Sequence, residues 1–173
     1  MSTLKVTLIA AVSEDGFISR GTGVPWDLPD DVAHFRQRTA GRWLLIGRRT
    51  YLEMRGWFID HHPLVLSNNP KRLPPPGQRV GSVHEALHLA SAANVEDLVV
   101  VGGGETFRAA MPYATCLDLT MVHTRLGKGI PFPPIDPEAW QEVTKTPHPA
   151  DDRHRLAFTF TEWRRVPAKG SGV

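Results

Sequence analysis

The chain has 173 residues, of which 41% are hydrophobic and 22% are charged, and its net charge at pH 7 is +2. This composition is ordinary for a folded domain and excludes a chain that is disordered throughout. Although the sequence pI is about 8.9, the Lys and Arg residues form no basic block, which argues against a nucleic-acid-binding protein.

The length predicts one domain, residues 1–167, followed by a flexible tail of small residues at 168–173. No segment approaches the roughly 18 consecutive apolar residues of a membrane span, and the N-terminus does not resemble a secretory leader. The single cysteine, Cys116, excludes an internal disulfide and fits a reducing compartment. We therefore expect a cytoplasmic monomer with no membrane partner.

Hydrophobic runs alternate with helical segments along the first two thirds of the chain, which is typical of a largely parallel sheet covered by helices. These patterns predict strands at 5–12, 42–47, 63–68 and 97–103, and helices at about 29–39, 48–54, 82–93 and 105–111. The last third alternates like antiparallel strands, at 116–124, 140–145 and 154–163. Loops are predicted at 13–28, 71–78 and 130–137.

A zinc-hydrolase motif is formally present, because residues 84–88 read HEALH. On a helix, however, His84 and His88 lie opposite the apolar face and point to solvent. A catalytic zinc also needs a third protein ligand, and neither Ser91 nor Asn94, where an extended motif would place one, is histidine. The sequence therefore predicts no metal site.

Three glycines, Gly102 to Gly104, stand between a predicted buried strand and a helix. Glycine lets the backbone approach a ligand closely, and a helix N-terminus favours an anion such as a diphosphate. The spacing is not the full G-x-G-x-x-G pattern, and a tight strand-to-helix turn explains the glycines equally well.

Two arginines, Arg48 and Arg49, occupy the predicted first turn of the second helix. Positive charge there is disfavoured by up to about 1 kcal/mol, which suggests that an anion is bound nearby. A guanidinium can hold a phosphate through two hydrogen bonds, with Thr50 beside it. The pair favours NADPH over NADH as a ligand, and the alternative is two solvated surface arginines.

The stretch GVPWDLPDDVAHF, residues 23–35, contains three acids of which one is a candidate for chemistry. On a helical wheel, Val32, Phe35 and Thr39 mark the inward face, and Asp31 lies only about 60° from its centre. A half-buried carboxylate needs hydrogen-bond donors, which a ligand with adjacent N–H groups provides. The alternative is a carboxylate that caps the helix.

The other two acids of this stretch have simpler interpretations. Asp30 falls nearly opposite the inward face and is expected to pair with His34 on the outside of the helix. Asp27 precedes the helix and is expected to be a loop or capping residue.

Taken together, the segments TLIAAVSEDGFI, PWDLPDDVAHF, LLIGRRTY, VLSN, SVHEAL, VVGGGETF, LDLTMV and FTFTEW resemble the dihydrofolate reductase family in order and spacing, over about residues 5–165. The resemblance implies an α/β fold, with a single domain, a mostly parallel sheet of about eight strands, an antiparallel C-terminal hairpin and helices on both faces. It also implies hydride transfer from NADPH to C6 of 7,8-dihydrofolate, which yields tetrahydrofolate for one-carbon metabolism.

The resemblance assigns roles by position. Asp31 would be the pterin-binding catalytic acid, with Trp26 helping to hold a water beside it. Substrate would be bound by Ile9, Ala10, Asp31, Val32, Phe35, Met54, Phe58, Val101 and Thr120. NADPH would contact Ala11, Ile18, Gly47, Arg48, Arg49, Thr50, Leu66, Ser67, Asn68, Gly102, Gly103, Gly104, Glu105, Thr106 and Phe107. The loop at 13–24 would be a lid over the nicotinamide.

The sequence departs from the family pattern where an arginine usually clamps the glutamate carboxylate of folate, because His61 stands there. A neutral imidazole cannot make that bidentate contact, so weak binding of the glutamate is expected unless Arg55, His62 or a charged His61 substitutes. Further departures are Ser19, Glu105, Phe107 and Gly129.

These departures leave two alternatives open. One is a reductase of the same fold that acts on another pteridine or on the ribosylaminopyrimidinone of riboflavin synthesis. The other is a nucleotide-binding regulatory module that binds NADPH without turnover.

Overall fold

The computed structural model describes residues 3–21 and 23–167, which contain a mixed eight-stranded sheet, a two-stranded ribbon and four α-helices. The strands are β1 (Lys5–Ser13), β2 (Phe17–Ser19), β3 (Trp43–Gly47), β4 (His62–Leu66), β5 (Gln78–Val80), β6 (Asp97–Gly102), β7 (Cys116–Val122), β8 (Ile130–Pro131), β9 (Trp140–His148) and β10 (Phe158–Arg165). The helices are α1 (Pro29–Thr39), α2 (Arg48–Glu53), α3 (Val83–Ala92) and α4 (Gly104–Ala110), and α4 continues into a 3-10 turn at Met111–Tyr113.

The sheet has the strand order β5-β4-β3-β6-β1-β7-β10-β9. The six strands from β5 to β7 are parallel, and β10 runs antiparallel to both β7 and β9. The predicted mostly parallel sheet with an antiparallel C-terminal hairpin is confirmed. The prediction for 116–124 was incomplete, because β7 also pairs in parallel with β1.

The apolar runs of the central strands are buried on both faces of the sheet. Leu8 and Leu45 belong to a core cluster that includes side chains of α3 and α4. Their chain neighbours Ile9 and Leu44 belong to a second cluster, against which Phe35 of α1 packs. Since successive side chains of a strand point to opposite faces, α1 lies on one face of the sheet and α3 and α4 lie on the other.

The predicted helices are confirmed, and α1 has the predicted bounds with Pro29 at its first position. The sequence analysis did not predict two strand pairings, that of β5 with β4 and that of β2 with β8. β5 follows a proline-rich loop, and β2 pairs with β8 as a separate ribbon. Each of these strands has only two or three residues, too few to show a period of two.

The parallel strands direct their carboxyl ends to one edge of the sheet, where the loops after β1, β3, β4 and β6 meet. In open α/β sheets this edge forms the ligand-binding crevice. The predicted tail at 168–173 lies outside the described residues, and the domain boundary at 167 stays a prediction. In the part of the chain that the structure describes, no helix is long and apolar enough to cross a bilayer.

Candidate active site

A cleft of about 1300 Å³ opens at the carboxyl ends of the parallel strands. Its volume exceeds the roughly 300–1,000 Å³ of an ordinary small-molecule pocket, so two ligands have room side by side. Of the sequence-predicted substrate residues, the cleft is lined by Ile9, Ala10, Asp31, Val32, Phe35, Met54, Val101 and Thr120. Trp26 also lines it, together with all fifteen residues predicted to contact NADPH.

The exception among the predicted residues is Phe58, which does not line the cleft. Its ring packs behind the wall, 5.0 Å from Tyr51 and edge-on to Trp57 at 5.5 Å. Trp57 takes the position on the cleft surface. The two aromatic residues are adjacent in the chain, so a sequence pattern does not show which ring turns outward.

Asp31 is the acid that the fold brings into the cleft. The hydroxyl of Thr120, on β7, donates a hydrogen bond of 2.6 Å to Asp31 Oδ1. Burial raises the pKa of Asp31, the Thr120 bond and the nearby His34 lower it, and Asp118 raises it; the net direction is upward. The site thus presents a carboxyl group that holds its proton to a higher pH than a solvated aspartate does.

The predicted inward face of α1 needs a correction. Thr39 is buried, but Val32 is 48% exposed and lies at the cleft opening. The pairing of Asp30 with His34 is also wrong, because His34 Nε2 donates instead to both carboxylate oxygens of Asp118, at 2.9 and 3.1 Å. The reason is that α1 packs against β7, a strand far away in the sequence.

Asp30 belongs to a histidine cluster at the start of α1. The fully buried His154 accepts a hydrogen bond of 3.1 Å from the Asp30 backbone N–H, which serves a helix whose N-cap, Leu28, has no side-chain acceptor. His154 Nδ1 contacts Asp151 at 2.8 Å, and His148 Nε2 lies 3.0 Å from Asp30 Oδ2. The nitrogen of His154 that faces Asp30 is therefore already engaged as a helix cap.

The polar residues of the HEALH motif, from which no metal site is predicted, lie on the solvent side of α3. His84, Glu85 and His88 are exposed on α3, as expected from the helical wheel. Among the described residues, the group of His, Asp and Glu side chains close enough to share a metal ion is the Asp30, His148 and His154 cluster instead.

Glycines allow the backbones at the ends of β3 and β6 to come close together. A Cβ at Gly47 would lie 2.8 Å from Thr106 Oγ1, and one at Gly104 would lie 2.5 Å from Ile130 Cγ2. Gly102 has φ of +120°, a conformation that L side chains rarely adopt. Glycine is thus required at position 47 by α4, at position 104 by β8 and at position 102 by its backbone conformation, and all three residues line the cleft.

The two arginines at the start of α2 differ in their surroundings. Arg48 is half-buried, and its Nη1 is buried without a hydrogen-bond partner among the described residues. The Arg49 side chain is 75% exposed, and its Nε lies 3.3 Å from Glu53 Oε1. The unsatisfied donor that would benefit from an anion therefore belongs to Arg48.

The indole N–H of Trp26 is a second buried donor without a partner among the described residues. Trp26 lines the same cleft as Asp31. Because buried N–H groups are nearly always satisfied by protein, ligand or water, this donor fits the predicted role of Trp26 in holding a water.

The loop that was predicted to be a lid is anchored at its base by Asp15. This carboxylate accepts hydrogen bonds from Ser13 Oγ and from the backbone N–H groups of Leu126 and Gly127. The Ser13 bond contributes most to lowering the pKa of Asp15 to about 2. The short β2–β8 ribbon holds the next part of the loop beside the cleft.

His61 does not supply a cation to the site. Its side chain is 7% exposed, its ring stacks on Trp57 at 4.6 Å, and it does not line the cleft. Burial lowers the pKa of His61, the charge of Asp60 opposes this, and the net direction favours the neutral imidazole. His62 is engaged elsewhere, because it stacks on Trp43 at 3.8 Å and bonds to Gln78.

Comparison with known proteins gives a consistent result. A sequence model of the family "Dihydrofolate reductase" matches residues 5–165. Dihydrofolate reductase type 3 of Salmonella typhimurium is 31% identical over 160 residues, which cover 92% of this chain and 98% of that protein. Dihydrofolate reductase of Mycobacterium tuberculosis H37Rv is 34% identical over 144 residues, which cover 80% of this chain and 86% of that protein.

A solved structure gives the same answer at the level of the fold. Dihydrofolate reductase from Enterococcus faecalis, complexed with NADP(H) and RAB-propyl, matches this chain with a TM-score of 0.84 and 28% sequence identity. The match covers 94% of this chain and 97% of that chain.

The raised pKa of Asp31 has a consequence for stability. The folded protein binds this proton more tightly than the unfolded chain does, so the free energy of unfolding falls as pH rises from the unfolded pKa through the folded one. Asp31→Asn removes the charge and keeps an oxygen that accepts from Thr120. We expect the variant to be more stable than the parent protein at pH 7, with a smaller gain at pH 4.

Urea denaturation at the two pH values measures this difference. Asp30→Asn is the matched control and should bring no gain, because the Asp30 carboxylate is paired with Arg153 and His148. An Asp31→Asn protein that unfolds at lower urea concentration than the parent at pH 7 would contradict the expectation.

Proposed function

Because the chain belongs to the dihydrofolate reductase family and reduces dihydrofolate with NADPH, we propose that Asp31 is the acid that binds the pteridine ring and promotes its protonation. The observation that carries the proposal is the buried Asp31 carboxyl, bonded to Thr120 inside the cleft. The family match, together with relatives named for this activity, favours it over a reductase of another pteridine or of the riboflavin precursor, and over a regulatory module.

The reaction adds a hydride to C6 of the substrate and a proton to N5. Asp31 would accept hydrogen bonds from the 2-amino group and N3–H of the ring, which are the adjacent donors that a buried carboxylate requires. General acid catalysis works best when the pKa of the acid lies near the operating pH. The raised pKa of Asp31 moves this carboxyl in that direction. The unpartnered N–H of Trp26 would hold the water that connects this acid with solvent protons.

NADPH, when bound, supplies the hydride and the negative charge of its phosphates. Arg48 would hold the additional phosphate on the adenosine ribose through its buried, unpartnered Nη1, and Arg49 would reach the same group from the exposed side. The cleft-lining glycines Gly47, Gly103 and Gly104 would form the floor under the diphosphate. The remaining predicted contacts line the same cleft.

The lid would exclude water from the reacting atoms when it closes. Ile18, on β2, already lines the cleft, and Val24 at the other end of the loop is 66% exposed. If the loop closed so that Ile18 and Val24 covered the nicotinamide, their apolar side chains would be buried and water would be excluded from the site.

We also propose that the enzyme works as a monomer in the cytoplasm and binds neither membranes nor nucleic acid. In support, the large apolar side chains exposed in the described part of the chain are few and belong to different helices, strands and loops. Two of them, Val24 and Val32, belong to the cleft. The net charge of +2 is too small for a nucleic-acid footprint.

The role of Asp31 is tested by Asp31→Asn. At pH 7 we expect the rate of hydride transfer to fall by about 10²- to 10⁴-fold, the contribution typical of general acid catalysis. The variant should recover activity as the pH falls, because solvent then supplies the proton directly. Single-turnover oxidation of NADPH with dihydrofolate, measured from pH 5 to pH 9, gives both results.

Asp30→Asn is the control for this experiment, since its carboxylate is paired with Arg153 and His148 outside the cleft. It should keep the parent rate within about twofold. Equal rates in the two variants would refute the assignment of Asp31.

The recognition of the extra phosphate is tested by Arg48→Ala and Arg49→Ala. We expect Arg48→Ala to raise the KM for NADPH about tenfold or more, which is the loss of one charge-assisted hydrogen bond, and to change the KM for NADH little. Arg49→Ala should have a smaller effect in the same direction, because that side chain is exposed and paired with Glu53. An unchanged ratio of the two KM values in both variants would show that neither arginine reads the phosphate.

The surroundings of His61 predict weak recognition of the glutamate of folate. A neutral, buried imidazole offers no bidentate contact to a carboxylate. We therefore expect dihydrofolate and dihydropteroate, which lacks the glutamate, to have KM values within about threefold of each other. The opposite result would be a KM for dihydrofolate far below that for dihydropteroate. If Arg55→Ala then removed this difference, Arg55 would be the residue that holds the glutamate carboxylate.

A further inference from the structure

An ion-pair cluster around the buried carboxylate of Asp118 lies beside the Asp31 carboxyl and does not line the cleft. Asp118 on β7 has a side chain that is only 8% exposed, and it accepts hydrogen bonds from His34 Nε2 and, at 2.8 Å, from Arg38 Nε. A buried carboxylate of this kind is costly unless it is paired, so both cations are needed to keep it in place.

The cluster lies on the same helix stripe and the same strand face as the catalytic acid. Asp31, His34 and Arg38 are spaced i, i+3 and i+7 on α1, which places them on one side of the helix. Thr120 and Asp118 are two apart on β7, so their side chains point to one face of the sheet.

Two cross-links therefore join α1 to β7. The first is the bond between Asp31 and Thr120, and the second joins His34 and Arg38 to Asp118. The residue numbers of the linked side chains rise along α1, from Asp31 to Arg38, and fall along β7, from Thr120 to Asp118. The helix and the strand therefore run in opposite directions past each other. A shift of the helix along the strand would break both links, so the second fixes how deeply Asp31 enters the cleft.

We propose that His34 and Asp118 form a proton-dependent latch that positions Asp31 against β7 and places a positive charge one helical turn from its carboxyl. His34 and Asp118 are positioning residues, because neither lines the cleft. The proposal rests on the assignment of Asp31 as the acid of the reaction.

The charged groups that act on His34 lie on two elements, and a third element packs against its ring. Asp31 and Arg38 lie on α1, and Asp118 lies on β7. On β10, Phe160 packs against the imidazole with ring centroids 4.7 Å apart, and Glu162, the cross-strand neighbour of Asp118, is bonded to Arg164 at 2.7 Å. The imidazole of His34 thus lies among Asp31, Arg38 and Asp118, with Phe160 packed against its ring.

The direction of the effect follows from these neighbours. The hydrogen bond to Asp118 contributes most to raising the pKa of His34, so the imidazole keeps its charge to a higher pH than a solvated histidine does. A positive charge near Asp31 favours the ionised carboxylate and opposes the upward effect of burial. The latch therefore limits how far the pKa of Asp31 rises.

The test uses His34→Gln, which keeps an N–H donor for Asp118 but cannot carry a charge. We expect the pKa in the pH profile of hydride transfer to move upward by about 0.5 to 1 unit, the effect of removing one nearby charge. Arg36→Gln is the matched control, because it removes a positive charge from an exposed position of the same helix. Coincident profiles for His34→Gln and the parent protein would overturn the proposal.

Titration of the Asp31 carboxyl by ¹³C NMR separates this proposal from the role of Asp31 in catalysis. The resonance is identified by its loss in Asp31→Asn, and its pKa should be higher in His34→Gln than in the parent protein, whatever the rate of turnover. If the NMR pKa moves while Asp31→Asn retains full activity, the latch stands and the catalytic assignment fails. If it does not move, the latch is refuted.

Stability provides a second test that does not depend on His34→Gln folding well. The stabilisation from a charged His34 is fully present below pH 6.5 and is lost as pH rises through the raised pKa. Asp118→Asn removes the partner, so its deficit in unfolding free energy should be larger at pH 6 than at pH 9. A deficit that is the same at both pH values would contradict a proton-dependent latch.

Discussion

The hydrogen bond between Asp31 and Thr120 is the contact on which the rest of the site depends, because it keeps a carboxyl group inside a largely apolar wall. Without a donor from β7, a helix that placed this acid in the cleft would leave a buried charge unpaired. The bond uses Oδ1, and Asp31 lies at the cleft surface, where the proposed pteridine ring with its two adjacent N–H groups would complete the pairing. Under this proposal, substrate binding and the stability of the helix–strand contact are linked.

Much of this site could be predicted from local sequence, and the parts that could not be predicted depend on distant strands. Helical phase separated Asp31 from Asp30 correctly, because both residues lie within one helix whose bounds are set by Pro29. The same reasoning paired Asp30 with His34, since a single helix shows neighbours but not partners. The actual side-chain partners are Asp118 on β7 for His34, 84 residues away, and His148 on β9 for Asp30, 118 residues away.

The limits of sequence reasoning are also visible where two similar residues are adjacent. Arg48 and Arg49 looked equivalent as phosphate ligands, yet one has a buried donor and the other is solvated and paired with Glu53. Phe58 was expected in the pocket, but the adjacent Trp57 faces it. The two residues of each pair have nearly the same charge and hydrophobicity, so the sequence pattern does not distinguish them. Tertiary packing sets the backbone direction, and this decides which of the two side chains faces the cleft.

The histidines of this chain show why the surroundings of an imidazole matter more than its position in a motif. The Nδ1 atom of His61 is buried beside Trp57 and has no hydrogen-bond partner in the described part of the chain, so burial favours the neutral form. His34 is only partly buried and donates to a carboxylate, so its charged form is favoured. Burial against an aromatic ring and hydrogen bonding to a carboxylate thus shift the pKa values of two imidazoles of this chain in opposite directions.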